Sequence, residues 1–176
     1  IQDAYLFSKT GKIEEDHGRE LAELIAHFPF IKTISSLIIT HNRLGPEGLQ
    51  ILATSPILPK VNYLHLGSND LGNEGMAILA HAPIFSEVST LNLECNSITA
   101  QGANALAQSP YLTKVEHLNL VDNRIGDEGA MAIANSDNLS NLNYLHLGGN
   151  RIKSEEARSA LKNSSKLAKL EKLKIF

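Results

Sequence analysis

Histidine, cysteine and a recurring glycine-rich turn are the features from which this chain of 176 residues could build a reactive centre. His65 and His146 stand at the same place in two similar segments, VNYLHLGSN and LNYLHLGGN. If these segments are strands of one sheet with two others between them, three steps of about 4.8 Å separate the imidazoles by roughly 14 Å. Zinc–nitrogen bonds of about 2 Å cannot bridge that gap. His117 and His146 fall on neighbouring segments, but no carboxylate or cysteine clearly completes a ligand set. Cys95 has no fixed basic neighbour in sequence, so a nucleophilic thiolate is unsupported. Gly45-Pro46-Glu47-Gly48 puts two glycines at a helix start, as a phosphate cradle does. Its glutamate already occupies the positive end of the helix dipole, however, and no lysine follows in the manner of a Walker loop. The sequence thus predicts no catalytic residue, no metal and no cofactor.

The elements carrying these residues repeat. Asn42, Asn69, Asn96, Asn123 and Asn150 follow one another at 27 residues, as do Leu37, Leu64, Leu91, Leu118 and Leu145. A fixed period of this size is the mark of a solenoid. Within a unit the apolar period changes. Val61, Leu64 and Leu66 alternate with Tyr63, His65 and Gly67, which predicts a short strand with the leucines on one face. After Asn69 and Leu71, the positions Met76, Leu79 and Ala80 have helical spacing. Asn73 is the expected helix start, Glu74 suits the helix N-terminus, and Pro56, Pro83 and Pro110 are expected to end their helices. Each asparagine sits where backbone groups are buried between units, and its amide can pair with them as donor and acceptor together. The ladder Asn42, Asn69, Asn96, Asn123 and Asn150 is therefore assigned a structural role.

Val61, Leu64, Leu66, Asn69 and Leu71 match the pattern L-x-x-L-x-L-x-x-N-x-L, and the units resemble leucine-rich repeats. The helical tail with Gly72, Glu74 and Gly75 is similar to the ribonuclease-inhibitor-like subclass. That subclass includes the repeats of Ran GTPase-activating protein, of nucleotide-binding immune receptors and of effectors of intracellular bacteria. The resemblance spans about residues 33 to 176, with units slightly shorter than usual for the subclass and Glu156 where earlier units have the helix glycine. It implies an α/β solenoid, a horseshoe with a parallel β-sheet on its concave face and α-helices on its convex face. It also implies a non-catalytic module binding a protein partner, within a secreted bacterial effector or a receptor's sensing region. The alternative it leaves open is a regulator of an enzyme, such as a small-GTPase activator or an enzyme inhibitor.

Residues 1–32 read as an irregular capping unit. Gly18, Glu20, Ala22, Ile25, Ala26 and Pro29 keep the helix register of the next unit, but the strand positions fall on Thr10 and Glu15, and Ile13 to Phe28 reads as amphipathic helix. Residues 33–176 hold five full repeats of 27 to 28 residues and a final strand, without a linker. The net charge of −3 argues against nucleic acid and against an anionic membrane as partners. No apolar run approaches a membrane span, and no signal peptide pattern opens the chain. A single cysteine excludes an internal disulfide and points to a reducing, cytoplasmic compartment, which for an effector is the host cytosol. Residues 151–176 carry 8 Lys or Arg against 3 Asp or Glu, while residues 1–150 carry 8 against 16. Lysines on an edge strand discourage sheet-to-sheet association, consistent with a monomer, or they meet an acidic partner.

The outward strand positions differ from unit to unit while the scaffold positions do not. One row reads Ser36, Tyr63, Thr90, His117, Tyr144 and Lys172, and the next Ile38, His65, Asn92, Asn119, His146 and Lys174. Tyrosine and histidine bring rigid apolar area with a polar tip, a composition favoured at interfaces. The expected contact patch is Tyr63, His65, Asn92, Glu94, His117, Asn119, Tyr144 and His146, anchored by the two tyrosines.

Overall fold

Each sequence unit becomes one strand and one helix in the computed structural model, which describes residues 3–7, 17–28, 31 and 33–176. In chain order the elements are β1 (Asp3–Phe7), α1 (His17–His27), β2 (Ser36–Thr40), α2 (Gly45–Ala53), β3 (Tyr63–His65), α3 (Gly72–His81), β4 (Thr90–Asn92), α4 (Ala100–Ala107), β5 (His117–Asn119), α5 (Gly126–Ala134), β6 (Tyr144–His146), α6 (Glu155–Lys162) and β7 (Lys172–Lys174). The strands form one parallel sheet in sequence order. Parallel neighbours require the chain to return to the same sheet edge, and a helix makes that crossing each time. Helices about 10 Å across stack beside strands about 4.8 Å apart, so the array bends towards the sheet, which becomes the concave wall.

The register follows the 27-residue step. Leu37, Leu64, Leu91, Leu118 and Leu145 lie opposite one another, and Leu173 continues the row. The first five are fully buried. A slip of one residue would turn that row to water, which makes the register unambiguous. Leu66, Leu71, Met76 and Leu79 complete the core of their unit. The helix glycines let the helix settle onto its own turn: a Cβ on Gly75 would stand 2.8 Å from Leu71 Cβ, and one on Gly129 would stand 2.5 Å from Ile125 Cγ2. At the equivalent place in α6, Glu156 is exposed.

Three expectations are revised. Asn73 does not cap its own helix: α3 begins at Gly72, whose φ of +58° makes the turn, with no side-chain cap. Instead Asn73 Oδ1 accepts from the Thr99 and Gly102 backbone N–H groups of the next unit, at 3.0 and 3.1 Å. Asp127 does the same for Lys153 and Ser154. The prolines stand just past the helices and not at their last residues: α2, α3 and α4 finish at Ala53, His81 and Ala107, two or three residues ahead of Pro56, Pro83 and Pro110. The corner is held by buried serines. Ser55, Ser109 and Ser136 donate to the carbonyls of Ala26, Ala80 and Ala107 in the preceding unit, and each accepts from backbone N–H groups just ahead of it. Where Ala82 replaces the serine, a 3-10 turn at Pro83–Phe85 buries Phe85 and fills the corner.

The first unit also has a strand, which the 27-residue step missed. Ala4 pairs with Leu37, so the spacing there is longer than in later units and the sheet has seven strands rather than six. Helix α1 occupies most of the amphipathic stretch expected at 13–28; residues 13–16 lie outside the described residues.

Mid-array substitutions should separate ladder and core from surface. Leu118→Ala is expected to cost about 2–5 kcal/mol. Asn96→Ala strips partners from two buried N–H groups and two carbonyls, each worth about 1–3 kcal/mol if left unpaired. Lys114→Ala removes only an exposed ion pair with Glu87, which water and salt screen, and should leave the midpoint nearly unchanged. Equal urea midpoints for Leu118→Ala and Lys114→Ala would refute the register.

Candidate partner-binding face

Strands three residues long leave little room for error in aiming side chains, and the asparagine ladder does the aiming. Asn96 Oδ1 accepts from the Asn69 and Leu71 N–H groups at 3.1 and 3.3 Å, while its Nδ2 donates to the Leu66 carbonyl at 2.9 Å and the Glu94 carbonyl at 3.0 Å. Asn69 and Asn123 bond to the units before them in the same way. Residues on either side of the ladder are left-handed without being glycine: His41, Arg43, Ser68, Asp70, Cys95 and Ser97 all have φ between 50° and 58°. That conformation costs roughly 1–2 kcal/mol per residue, offset here by the buried bonds of the ladder.

Above this frame the two outward rows are in register, Tyr63 beside Thr90, His117 and Tyr144, and His65 beside Asn92, Asn119 and His146. The patch expected from sequence thus lies on one face. Seven of its members are half-buried and His117 is exposed.

The structure draws them into two groups. In the first, Glu94 Oε2 accepts from Asn119 Nδ2 at 2.9 Å, and Glu94 Oε1 stands 3.5 Å from His65 Nε2, an electrostatic contact outside hydrogen-bond geometry. Gly67 makes room: a Cβ there would meet Glu94 Cγ at 2.9 Å and His65 Nε2 at 3.0 Å. Asn92 and Asn119 each turn an amide oxygen back to a backbone N–H, of Glu94 and Val121. In the second group, the Tyr144 ring lies 5.9 Å from His117 and 6.2 Å from His146. Tyr63 sits in its row outside both groups.

Lys172 and Lys174, at the end of the same rows, were not counted in the patch. Their ammonium groups fold back over the Tyr144 ring, 5.6 and 5.9 Å from its centre. The signal was present in the register of the rows. The serine corner was also missed, although Ser55, Ser109 and Ser136 share one repeat position, interrupted by Ala82.

Among the described residues no group of three His, Cys, Asp or Glu side chains is placed to hold a metal ion. Cys95 is exposed and lines an open groove of about 340 Å³ with Asp122, Arg124 and Arg151. Among the described residues no helix is long and apolar enough to cross a membrane.

A parallel single-sheet solenoid carrying an asparagine ladder defines a repeat scaffold with a polar concave face. A sequence model described as Leucine Rich repeat matches residues 31–53, 58–80, 88–107 and 111–134, and the chain belongs to that family. Leucine-rich repeat domains generally mediate protein–protein interaction. No curated protein matches the chain. Among solved structures, the tropomodulin C-terminal domain of Caenorhabditis elegans is similar at 15% identity and a TM-score of 0.61, over 84% of this chain and 90% of that one. An internalin from Listeria monocytogenes aligns at 15% identity over 81% of this chain and 46% of its own length, with a TM-score of 0.30.

Burial lowers the pKa of His65 below its ordinary 6.5, with Glu94 pulling the other way. Burial also lowers that of His146, with Lys174 adding to the effect and Asp122 and Glu94 opposing it. The folded state therefore favours the neutral rings. The stability this gives is complete above the unfolded value of 6.5 and is lost as pH falls below it, because the unfolded chain takes up the protons first. Thermal unfolding from about pH 7.5 down to about pH 5 should show the midpoint falling, with a shallower slope for His65→Gln/His146→Gln. A double variant with an unchanged slope would show that neither ring contributes.

Proposed function

We propose that this chain is a non-catalytic interaction module that binds a protein partner with the concave face of its sheet. The observation that carries the reading is the contrast between the two faces of each strand. Inward positions repeat Leu or Ile from β2 to β6 and are buried, whereas the outward ones present Tyr63, His65, Asn92, His117, Asn119, Tyr144 and His146 in two aligned rows. These outward side chains do nothing for the core. They offer aromatic area, imidazole rings and amide groups, joined by the Glu94 carboxylate, on a wall of seven strands. Six steps span roughly 29 Å, wide enough for a helix or a small domain. Family membership supports the reading, since such domains commonly work by binding other proteins.

The contact energy of a protein interface concentrates in a few aromatic and arginine anchors, while rim contacts matter little. Tyr63→Ala and Tyr144→Ala should each weaken a partner captured from native cytosol by about thirtyfold, equivalent to about 2 kcal/mol. Gln50→Ala and Gln108→Ala, exposed on α2 and just after α4, should leave the affinity within about twofold. Loss of binding only in the glutamine variants, with all four proteins folded, would move the site to the convex surface.

A further inference from the structure

We infer that the β5–β7 end of the concave wall is a receptor for a short acidic segment of the partner protein. The inference rests on the sheet being the partner face and adds the chemistry of what is bound. Lys172 and Lys174 sit on strand β7, yet their ammonium groups lean inward over Tyr144, at 5.6 and 5.9 Å from the ring centre. A lysine serving only to blunt the sheet edge would point along that edge into water. Neither lysine takes part in an ion pair among the described residues, whereas Lys114 and Lys166 are matched with Glu87 and Asp137. Two positive charges are thus held beside an aromatic floor with no carboxylate in ion-pair contact among the described residues.

The surroundings complete the site. His117 and His146 flank Tyr144. Burial and the Lys174 charge lower the pKa of His146, against the pull of Asp122 and Glu94, so its ring is biased towards a neutral hydrogen-bonding partner. Tyr144 brings apolar area on which the methylene groups of a glutamate can lie. The extent of the acidic segment is set on the other side by Glu94, which Asn119 already holds in place. From β5 to β7 there are two strand steps, roughly 10 Å, the length of about three extended residues. A longer polyanion would run onto Glu94 in the preceding unit and be repelled, which favours a few carboxylates of a protein over the continuous backbone of a nucleic acid.

The probe is an acetylated and amidated peptide of four glutamates, titrated into isotope-labelled protein and followed by the amide resonances. Saturable shifts are expected at Tyr144, His146, Lys172 and Lys174, weakened by added salt and absent with the glutamine analogue or in Lys172→Gln/Lys174→Gln. Shifts spread equally over Lys60, Lys114 and Lys162, or no saturable shift at β6 and β7, would overturn the inference. So would a single-stranded hexanucleotide that binds the same residues more tightly than the peptide. Against the captured partner, the double lysine variant should bind roughly tenfold more weakly. If that variant binds normally while Tyr63→Ala does not, the acidic occupant is wrong and the concave face stands. If the peptide saturates the site while both tyrosine variants bind the partner normally, the acidic site stands and the function proposed above fails.

Discussion

One buried amide per unit, bonded to the unit before it, is the interaction on which the rest of this structure depends. The Asn96 and Asn123 side chains reach backward to two N–H groups and a carbonyl of the preceding turn. An isolated unit has nothing to bond with there and cannot bury its leucine edge, so neighbours stabilise one another. The same bonds tolerate left-handed backbone at Ser68, Asp70, Cys95 and Ser97, which lets the chain leave a three-residue strand and enter the helix within a few residues.

The serine row supplies a second tie at the opposite corner, where the helix hands over to the next loop. Ser55, Ser109 and Ser136 also bond backward, and Asn73 and Asp127 bond forward. Polar groups therefore link adjacent units at the strand exit, at the helix start and at the helix end. Between these ties the leucines are free to be simply apolar. On the outward strand faces such linkage is confined to Glu94, which Asn119 bonds and His65 approaches, and the other outward positions are left open to a partner.

Most of the fold was legible because the repeat states its own register: Leu64 and Asn69 need only be counted forward and back to place every inner position from β2 to β6. The first strand escaped because its spacing to β2 is longer than the repeat, so counting back landed on Thr10 and Glu15 instead of Ala4. The role of Asn73 escaped because a side chain that caps a helix in the next unit looks, in sequence, like one that caps its own. In the candidate site, alternation alone put Tyr63, His65, His117 and Tyr144 on one face. It could not reveal that Glu94 would turn to Asn119 and His65, or that Lys172 and Lys174 would fold over Tyr144. Those contacts depend on side-chain directions across strands, which no single unit encodes.

The central claim is that the partner lies on the sheet and not on the helices. Hydroxyl-radical footprinting of the chain with and without its captured partner reads this directly, because both faces carry oxidisable side chains. Tyr63, Tyr144, His65 and His146 lie on the sheet, and Met131 is exposed on α5. The account predicts that the partner shields the tyrosines and histidines and leaves the oxidation of Met131 unchanged; shielding of Met131 with the tyrosines still fully oxidised would contradict it.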